Sequence, residues 1–559
     1  MNSMVVSMKQ LRARSKWGMA VLLGAGLLAC SADRESDPLA SFKNQTLAWH
    51  DCDSSIVLPA YADLLARVGT RARCATMEVP RDYANPARET ISVGLLKVDA
   101  QKASANPGVI MFSPGGPGLD SPVMPIAFAY RWGSDQPAYS SQAKNLYKQL
   151  ADGFDLIGWS PRGVGMSSQL NCASAQLAPL YVDAPSDRSQ ANIDAMLETA
   201  RLEAAACRSQ PLTPFINSDA TARDLDLMRH LLKQEKLNFY GLSYATWLGT
   251  WYATLFPDRV GNMVLVGNTD TTSSFDRMWL NNVAALQRVL DDVLAPYAAR
   301  HPERFDLGSS AAAVTQILAR LPAMLQLAAS EIMEPGLHDT EFTDNTLLTL
   351  RAAQAVKDLL ATMASPTEAS LRSRINASDF AAPLARSQAL ALSENYFAHL
   401  NATPTAVNMA PSTSVHFAVQ CNDMAMSFDE ASWVQQNNAQ AARYSFFGGH
   451  FTSYPCLYWG GPVVPRPALA NAAQARSILM LQSQFDPQTP LEGALNSLAT
   501  LPNASMILVG NAIDHVVSIP YGSDCIDLPL AQYLLDGTRP PRMTQCPGKL
   551  LPADAPTGP

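Results

Sequence analysis

The stretch Leu237-Asn238-Phe239-Tyr240-Gly241-Leu242-Ser243-Tyr244-Ala245 decides the fold. Leu237 to Tyr240 reads as a short buried strand, and the apolar run from Ala245 to Phe256 reads as a helix. Between them, Gly241-Leu242-Ser243-Tyr244-Ala245 turns strand into helix within a few residues, which pushes the Ser243 hydroxyl out of a sharp turn. Small residues two positions either side of the serine let the helix pack close to the strand. A serine at a helix N-terminus also sits where backbone N–H groups and the helix dipole favour developing negative charge. The pentapeptide by itself also fits a structural serine in a tight turn, so its surroundings carry the distinction.

Upstream, Gly108-Val109-Ile110-Met111-Phe112 is continuous, β-branched and apolar, the pattern of a strand buried on both faces of a parallel sheet. It runs into Ser113-Pro114-Gly115-Gly116-Pro117-Gly118, and Phe154 to Trp159 reads as a second such strand. Residues Thr221 to Lys236 have helical spacing, with Leu225, Met228, Leu231 and Leu232 on one face and Thr221 as N-cap. Downstream, Met263 to Gly267 is the next strand. From about Ser274 to Ala470 the chain turns Ala/Leu-rich with helical periods, and sheet-like runs resume at Ser477 to Leu481 and Ser505 to Val509.

This alternation predicts an α/β protein with a mostly parallel central sheet and a large helical cap inserted before the last strands. The predicted organisation is a signal segment over 1–30, a polar tether over 31–48, a core over 49–273, the cap over 274–470 with a Pro-rich return linker near Pro462 to Pro467, and the second part of the core over 471–559.

A nucleophilic serine needs an oxyanion hole, a general base and an acid to orient that base. Tyr244, directly after the nucleophile, supplies one backbone donor, and the glycine-rich loop after the 108–112 strand supplies the second through Gly116. In the α/β-hydrolase order the acid and then the histidine follow the serine. Of eight histidines only His515 lies beyond the returning strand at 477–481, in a loop after strand 505–509. Asp486 follows the 477–481 strand in Phe485-Asp486-Pro487 and is the candidate acid. Asp514 is its rival, although adjacency to His515 points the two side chains apart.

The remaining composition bounds the setting. With 47% hydrophobic and 16% charged residues the chain can bury a large interior. A net charge of −8, with no Lys/Arg run beyond the N-terminus, disfavours nucleic acid as a partner. Lys9, Arg12, Arg14 and Lys16 precede the short apolar run Trp17 to Ala29, the layout of an export signal too short to span a bilayer. It ends in Leu27-Leu28-Ala29-Cys30, similar to a bacterial lipobox, which makes Cys30 the candidate lipidation site. Ser31, rather than an Asp, follows, so the expected place is the cell envelope, at the outer membrane facing the periplasm or at the cell surface. The other cysteines, Cys52, Cys74, Cys172, Cys207, Cys421, Cys456, Cys525 and Cys546, are even in number and suit disulfides in an oxidising compartment. Connectivity does not follow from sequence; pairing of neighbours is the simplest expectation. No C-x-x-C or H-E-x-x-H spacing occurs, so no metal or other cofactor is implied.

Taken together these residues resemble the proline-iminopeptidase-like branch of α/β-hydrolases, and more closely the secreted tripeptidyl aminopeptidases of bacteria. The resemblance rests on the Ser113 to Gly118 loop, Arg162-Gly163-Val164-Gly165, the Ser243 elbow, Cys421-Asn422-Asp423, Cys456 to Trp459, Asp486-Pro487, and a TAP-like C-terminal segment from Cys525 to Cys546 containing Tyr533-Leu534-Leu535-Asp536-Gly537. It implies hydrolysis of peptides from a free N-terminus, with a cap acid holding the substrate ammonium; Asp423 is the candidate. A carboxylesterase or lactonase with the same triad is the alternative, so the expected partner is a peptide or a small ester. The chain departs from the family pattern at Ala245, at Asp514-His515-Val516, which lacks flanking glycines, and at Gly267-Asn268, where an acidic residue is common.

Overall fold

The computed structural model describes residues 37–554, apart from 54–55, 57–60, 103, 105–107, 135–139, 334–338, 379–382 and 518. The expected signal segment and Cys30 lie outside the described residues. The strands are β1 His50–Asp51, β2 Ala72–Pro80, β3 Thr90–Val98, β4 Gly108–Ser113, β5 Phe154–Trp159, β6 Ala173–Ala178, β7 Leu237–Leu242, β8 Val260–Val266, β9 Thr405–Asn408, β10 Ile478–Ser483, β11 Ala504–Gly510 and β12 Met543–Pro547. Ten of them form one sheet in the order β1-β2-β3-β5-β4-β7-β8-β10-β11-β12. The β1/β2, β2/β3 and β3/β5 pairs are antiparallel, and every neighbouring pair from β5 to β12 is parallel.

The middles of the central parallel strands are apolar because both faces are covered. Successive side chains point to opposite faces, so Val109, Met111, Phe239, Met263, Leu265, Ile478 and Met480 pack on one side with helix Tyr244–Leu255. Ile110, Phe112, Tyr240, Val264, Val266, Leu479 and Leu481 pack on the other side with helices Val123–Gly133, Ser141–Gly153 and Asp524–Asp536. Each such fully buried side chain stabilises the fold by about 1.5–3 kcal/mol relative to leaving it exposed.

Between β8 and β10 the chain makes a series of helices beginning with Phe275–Val289. Residues from Leu286 to Phe397 bury an apolar cluster of their own, distinct from the two faces of the sheet. The segment after it behaves differently: β9 pairs with β6, and Val415, Val419, Trp433 and Tyr454 join the core that packs on the sheet. The inserted stretch therefore has an outer part with its own core and an inner part, from β9 to about Trp459, seated on the sheet domain.

Two expectations are corrected. Residues 37–48 are part of the fold rather than a tether: Phe42 is buried, Leu39 and Leu47 pack against the core, and Gln45 exchanges two 2.8 Å hydrogen bonds with the Glu78 backbone. Spaced apolar residues in a polar background sufficed to dock the segment along β2. The helix expected over Thr221 to Lys236 spans Ser218–Leu231, and its N-cap is Asn217, whose side chain accepts from Ala220 N at 2.8 Å. Thr221 instead donates back to the Asn217 carbonyl, and the chain leaves the helix through Lys233 at φ 56°. All four neighbouring cysteine pairs are bonded: 52–74, 172–207, 421–456 and 525–546.

Candidate active site

The site is built on the carboxyl ends of five parallel strands that are adjacent in space. Register aligns those ends: Ser113 of β4 faces Gly241 of β7, Leu242 faces Val266 of β8, Val266 faces Leu481 of β10, and Ser483 faces Val509 of β11. The loops that follow carry Gly116, Ser243, Asp270, Asp486 and His515 in that spatial order. Ligand sites of open parallel sheets form at this edge because every strand delivers its loop there.

Ser243 sits at φ 54°, ψ −125°, a conformation disfavoured for a residue with a Cβ, between the end of β7 and the first turn of helix Tyr244–Leu255. The Ser243 N–H donates to the Val266 carbonyl at 2.8 Å, which pins the turn to β8. Helix residues Tyr244 to Thr254 are all buried, so the helix has no freedom to swing the serine away. The methyl of Ala245 lies fully inside this core, which is how the variant elbow is accommodated.

His515 Nε2 lies 2.8 Å from Ser243 Oγ, and His515 Nδ1 lies 3.0 Å from Asp486 Oδ1. Both His515 and Asp486 are buried. Asp486 Oδ1 also accepts from the N–H groups of Gln488 and Thr489 at 2.9 and 2.7 Å, and Oδ2 accepts from Thr489 Oγ1 at 2.8 Å. These donors fix the orientation of the carboxylate, so Nδ1 donates to it and Nε2 is left to take a proton from Ser243. The imidazole of His515 reaches Asp486, not the neighbouring Asp514. An acid at position 267 does not fit either, since a Cβ on Gly267 would stand 2.5 Å from the His515 carbonyl oxygen.

The Ser113–Gly118 loop closes the other side. Gly115, at φ 97°, lies flush against the elbow: a Cβ there would meet Leu242 O at 2.4 Å and Tyr244 N at 3.0 Å. Gly116, Ser243 and Tyr244 then line one cavity of about 310 Å³ beneath the first inserted helix. That is at the lower end of the range of about 300–1,000 Å³ usual for small-molecule sites.

Residues 444–546 match the family model described as TAP-like protein. The chain has the α/β-hydrolase fold, and its C-terminal part is similar to TAP-like proteins. This hydrolase is 26% identical to a tripeptidyl aminopeptidase of Streptomyces lividans, over 89% of its own length and 86% of that protein's. It is 27% identical to carboxylesterase B of Mycobacterium tuberculosis, over 94% and 98% of the two chains. A crystal structure of a proline iminopeptidase from Mycobacterium smegmatis aligns at 12% identity and a TM-score of 0.32, covering 82% of the hydrolase and 97% of that chain.

In the hydrolase Asp423 does not line the cavity. It is 1% exposed, and its oxygens accept from Ser218 N at 2.8 Å and from the Trp247 indole at 3.1 Å. Burial pushes its carboxyl up to about 7, with the Ser218 and Trp247 hydrogen bonds opposing. It braces the elbow helix from behind, since Ser218 also bonds the Tyr244 hydroxyl at 2.6 Å. Two acids do line the cavity: Glu492, which is paired with Arg288, and Asp270, in the loop after β8 and two residues past Asn268. Its carboxylate is steadied by Thr272 and Asn496. Sequence reading missed it; the signal was its place just after a strand next to the nucleophile's own.

Proposed function

We propose that this chain is an exported serine hydrolase that releases short peptides or residues from free N-termini through an acyl-enzyme on Ser243. The observation that carries the chemistry is the relay from Asp486 through His515 to Ser243, with both imidazole nitrogens within hydrogen-bond reach of their partners. His515 Nε2 takes the Ser243 proton as Oγ attacks the carbonyl, and the Gly116 and Tyr244 amides receive the oxyanion. The tetrahedral intermediate collapses as His515 returns that proton to the leaving amine. Water then adds to the acyl-enzyme with His515 as base, releasing the acid and restoring Ser243.

The peptide reading is supported by the relatives named tripeptidyl aminopeptidase and by the polar part of the cavity wall. Asp270 and Asn282 offer acceptors to an ammonium, with Asp270 taking the part expected of Asp423. The ester reading draws on the relative named carboxylesterase B and on the apolar wall formed by Phe275, Met278 and Trp279. Hydrolysis of N-terminally free and N-blocked peptidyl chromogenic amides, beside short-chain aryl esters, separates the two. Cleavage restricted to free-amine amides and lost in Ser243→Ala supports the aminopeptidase; ester cleavage without amide cleavage supports the esterase.

The same reading puts the enzyme in the cell envelope, tethered by lipid at Cys30; it is supported by the signal-like segment before Cys30 and the similarity of Leu27-Leu28-Ala29-Cys30 to a lipobox. Four disulfides are consistent with such an oxidising location.

A further inference from the structure

Among the described residues the cavity lining holds three charged side chains, Asp270, Arg288 and Glu492. Asp270 is 9% exposed and is bonded to Thr272 and Asn496. The other two meet across the cavity: Arg288 Nη1 lies 2.6 Å from Glu492 Oε1, and Nη2 lies 3.2 Å from Oε2. Arg288 belongs to the first inserted helix, Phe275–Val289, and Glu492 to the core helix Leu491–Thr500, so the pair joins the cap to the core. The Arg288 side chain is 33% exposed and that of Glu492 65%, which puts the pair where the cavity meets solvent.

The inserted helix forms one long wall. Phe275 packs on Trp247 of the elbow helix with ring centroids 4.9 Å apart, and Trp279, Asn282, Ala285 and Arg288 follow along the cavity. At about 1.5 Å per residue the wall from Phe275 to Arg288 runs about 20 Å, room for an extended chain of about six residues. The wall by itself sets no short limit, whereas the paired end does. Glu492 stands in the first turn of its helix, where the helix dipole favours a carboxylate. The Arg288 guanidinium holds that carboxyl below its usual range, so the pair stays charged in mild acid. Gly493 packs so closely on Asp270 that a Cβ on it would stand 2.9 Å from Asp270 Cβ. Glu492 is therefore next to the acid proposed to hold the substrate ammonium, and the paired end is the acyl end of the cavity.

We propose that the Arg288–Glu492 pair is a specificity determinant: a bar across the acyl end of the cavity that stops longer acyl chains and so confines cleavage to the ends of peptides. Cleavage within a peptide needs the chain to continue outward past the acyl end, and there it meets the bar. The assignment to peptides rests on the aminopeptidase reading; the acyl chain of an ester meets the same bar. Two parallel N–H···O bonds give the pair a fixed direction. Displacing such a partly exposed pair costs an over-long chain about 5- to 30-fold in kcat/KM.

The test measures kcat/KM in the full chain against free-amine peptidyl chromogenic amides of one to six residues and against aryl esters from acetyl to palmitoyl. Wild type is expected to show a break with length in each series that it cleaves. Arg288→Ala and Glu492→Ala are each expected to raise the ratio of long to short chains by about 5- to 30-fold. The charge swap, Arg288→Glu with Glu492→Arg, restores the break. A control loosens the cap elsewhere: Asp554 of the C-terminal tail bonds Arg300 and His301 of the inserted segment at 2.7 Å each, and Asp554→Ala is expected to keep the wild-type length profile. Should Arg288→Ala fail to fold, Glu492→Ala, at the more exposed partner, carries the comparison alone. No break in wild type, an unmoved profile in the single variants, a swap as permissive as they are, or an equal shift in Asp554→Ala overturns the bar. Wild type that cleaves esters and no free-amine amide overturns the aminopeptidase reading instead, and the ester series then decides the bar.

Discussion

Ser243 and His515 are separated by 272 residues in the chain and by 2.8 Å between Oγ and Nε2. Among the described residues that hydroxyl meets one imidazole nitrogen to which its proton can pass, and the opposite nitrogen is held by a buried carboxylate. Ser243→Ala and His515→Ala are each expected to lower kcat by about 10⁴–10⁶, with the double variant little worse than either, because the pair acts as a unit. Asp486→Asn turns an amide toward Nδ1, favours the wrong tautomer and is expected to cost about 10⁴ in kcat, whereas Asp514→Asn stays within a fewfold. Steady-state kinetics on one chromogenic substrate checks all four; a damaged Asp514 variant beside an intact Asp486 variant would reverse the assignment of the acid.

Asp270 and Asp423 separate by substrate. Asp270→Asn removes the carboxylate from the cavity wall and is expected to raise KM for free-amine peptidyl amides about tenfold, on the order of a weakened charge-assisted hydrogen bond. N-blocked esters are left unchanged. Asp423→Asn affects both substrate types alike. Discrimination appearing at Asp423 and not at Asp270 would return the ammonium site to the helix.

Asp423 also leaves a signature in stability. Its folded value near 7 lies above the ordinary 3.8, so the folded state binds the proton more tightly than the unfolded chain does. The corresponding stability is fully present below pH 3.8 and is lost as pH rises to about 7, by about 1.4 kcal/mol for each unit between the two values. Urea denaturation from pH 4 to 8 is expected to show this decline in wild type and a flatter profile in Asp423→Asn. Parallel profiles would mean that Asp423 is ionised throughout.

The 421–456 disulfide closes a span of 35 residues, for which chain entropy gives about 4 kcal/mol of stabilisation. Replacing both cysteines with alanine is expected to lower the unfolding free energy by about that amount. Since the bond anchors the helix whose Gln420 lines the cavity, kcat falls as well, before any global unfolding. Thermal denaturation and kinetics on one preparation show whether the two losses accompany each other.

The proposed envelope location turns on Cys30. Expressed with its own leader in a bacterium that processes lipoproteins, the wild type is expected in the membrane fraction and Cys30→Ala in the soluble fraction, with the mass of a lipid modification only in the former. Equal partitioning of the two would remove the anchor.

Most of the framework was legible without coordinates because it is written locally. A run such as Val109 to Phe112 or Met263 to Val266, apolar at every position, carries its burial on both faces in itself. The Gly241 to Ala245 turn carries its geometry, and chain order named Ser243, Asp486 and His515. Helix limits were less legible: Asn217 outcompeted Thr221 as the cap because it stood first in line to accept an amide of the opening turn.

What the sequence by itself determined was therefore the alternation of elements, the elbow and the residue types that can pass a proton. What only the tertiary structure decided was which groups meet. Asp486 rather than Asp514 reaches His515, Asp270 rather than Asp423 borders the cavity, and residues 37–48 dock instead of trailing. Periodicity and turn chemistry act over a few residues, but hydrogen bonds and burial act over a few ångströms, and in a sheet whose neighbouring strands lie hundreds of residues apart in the chain the two measures of nearness have little to do with each other.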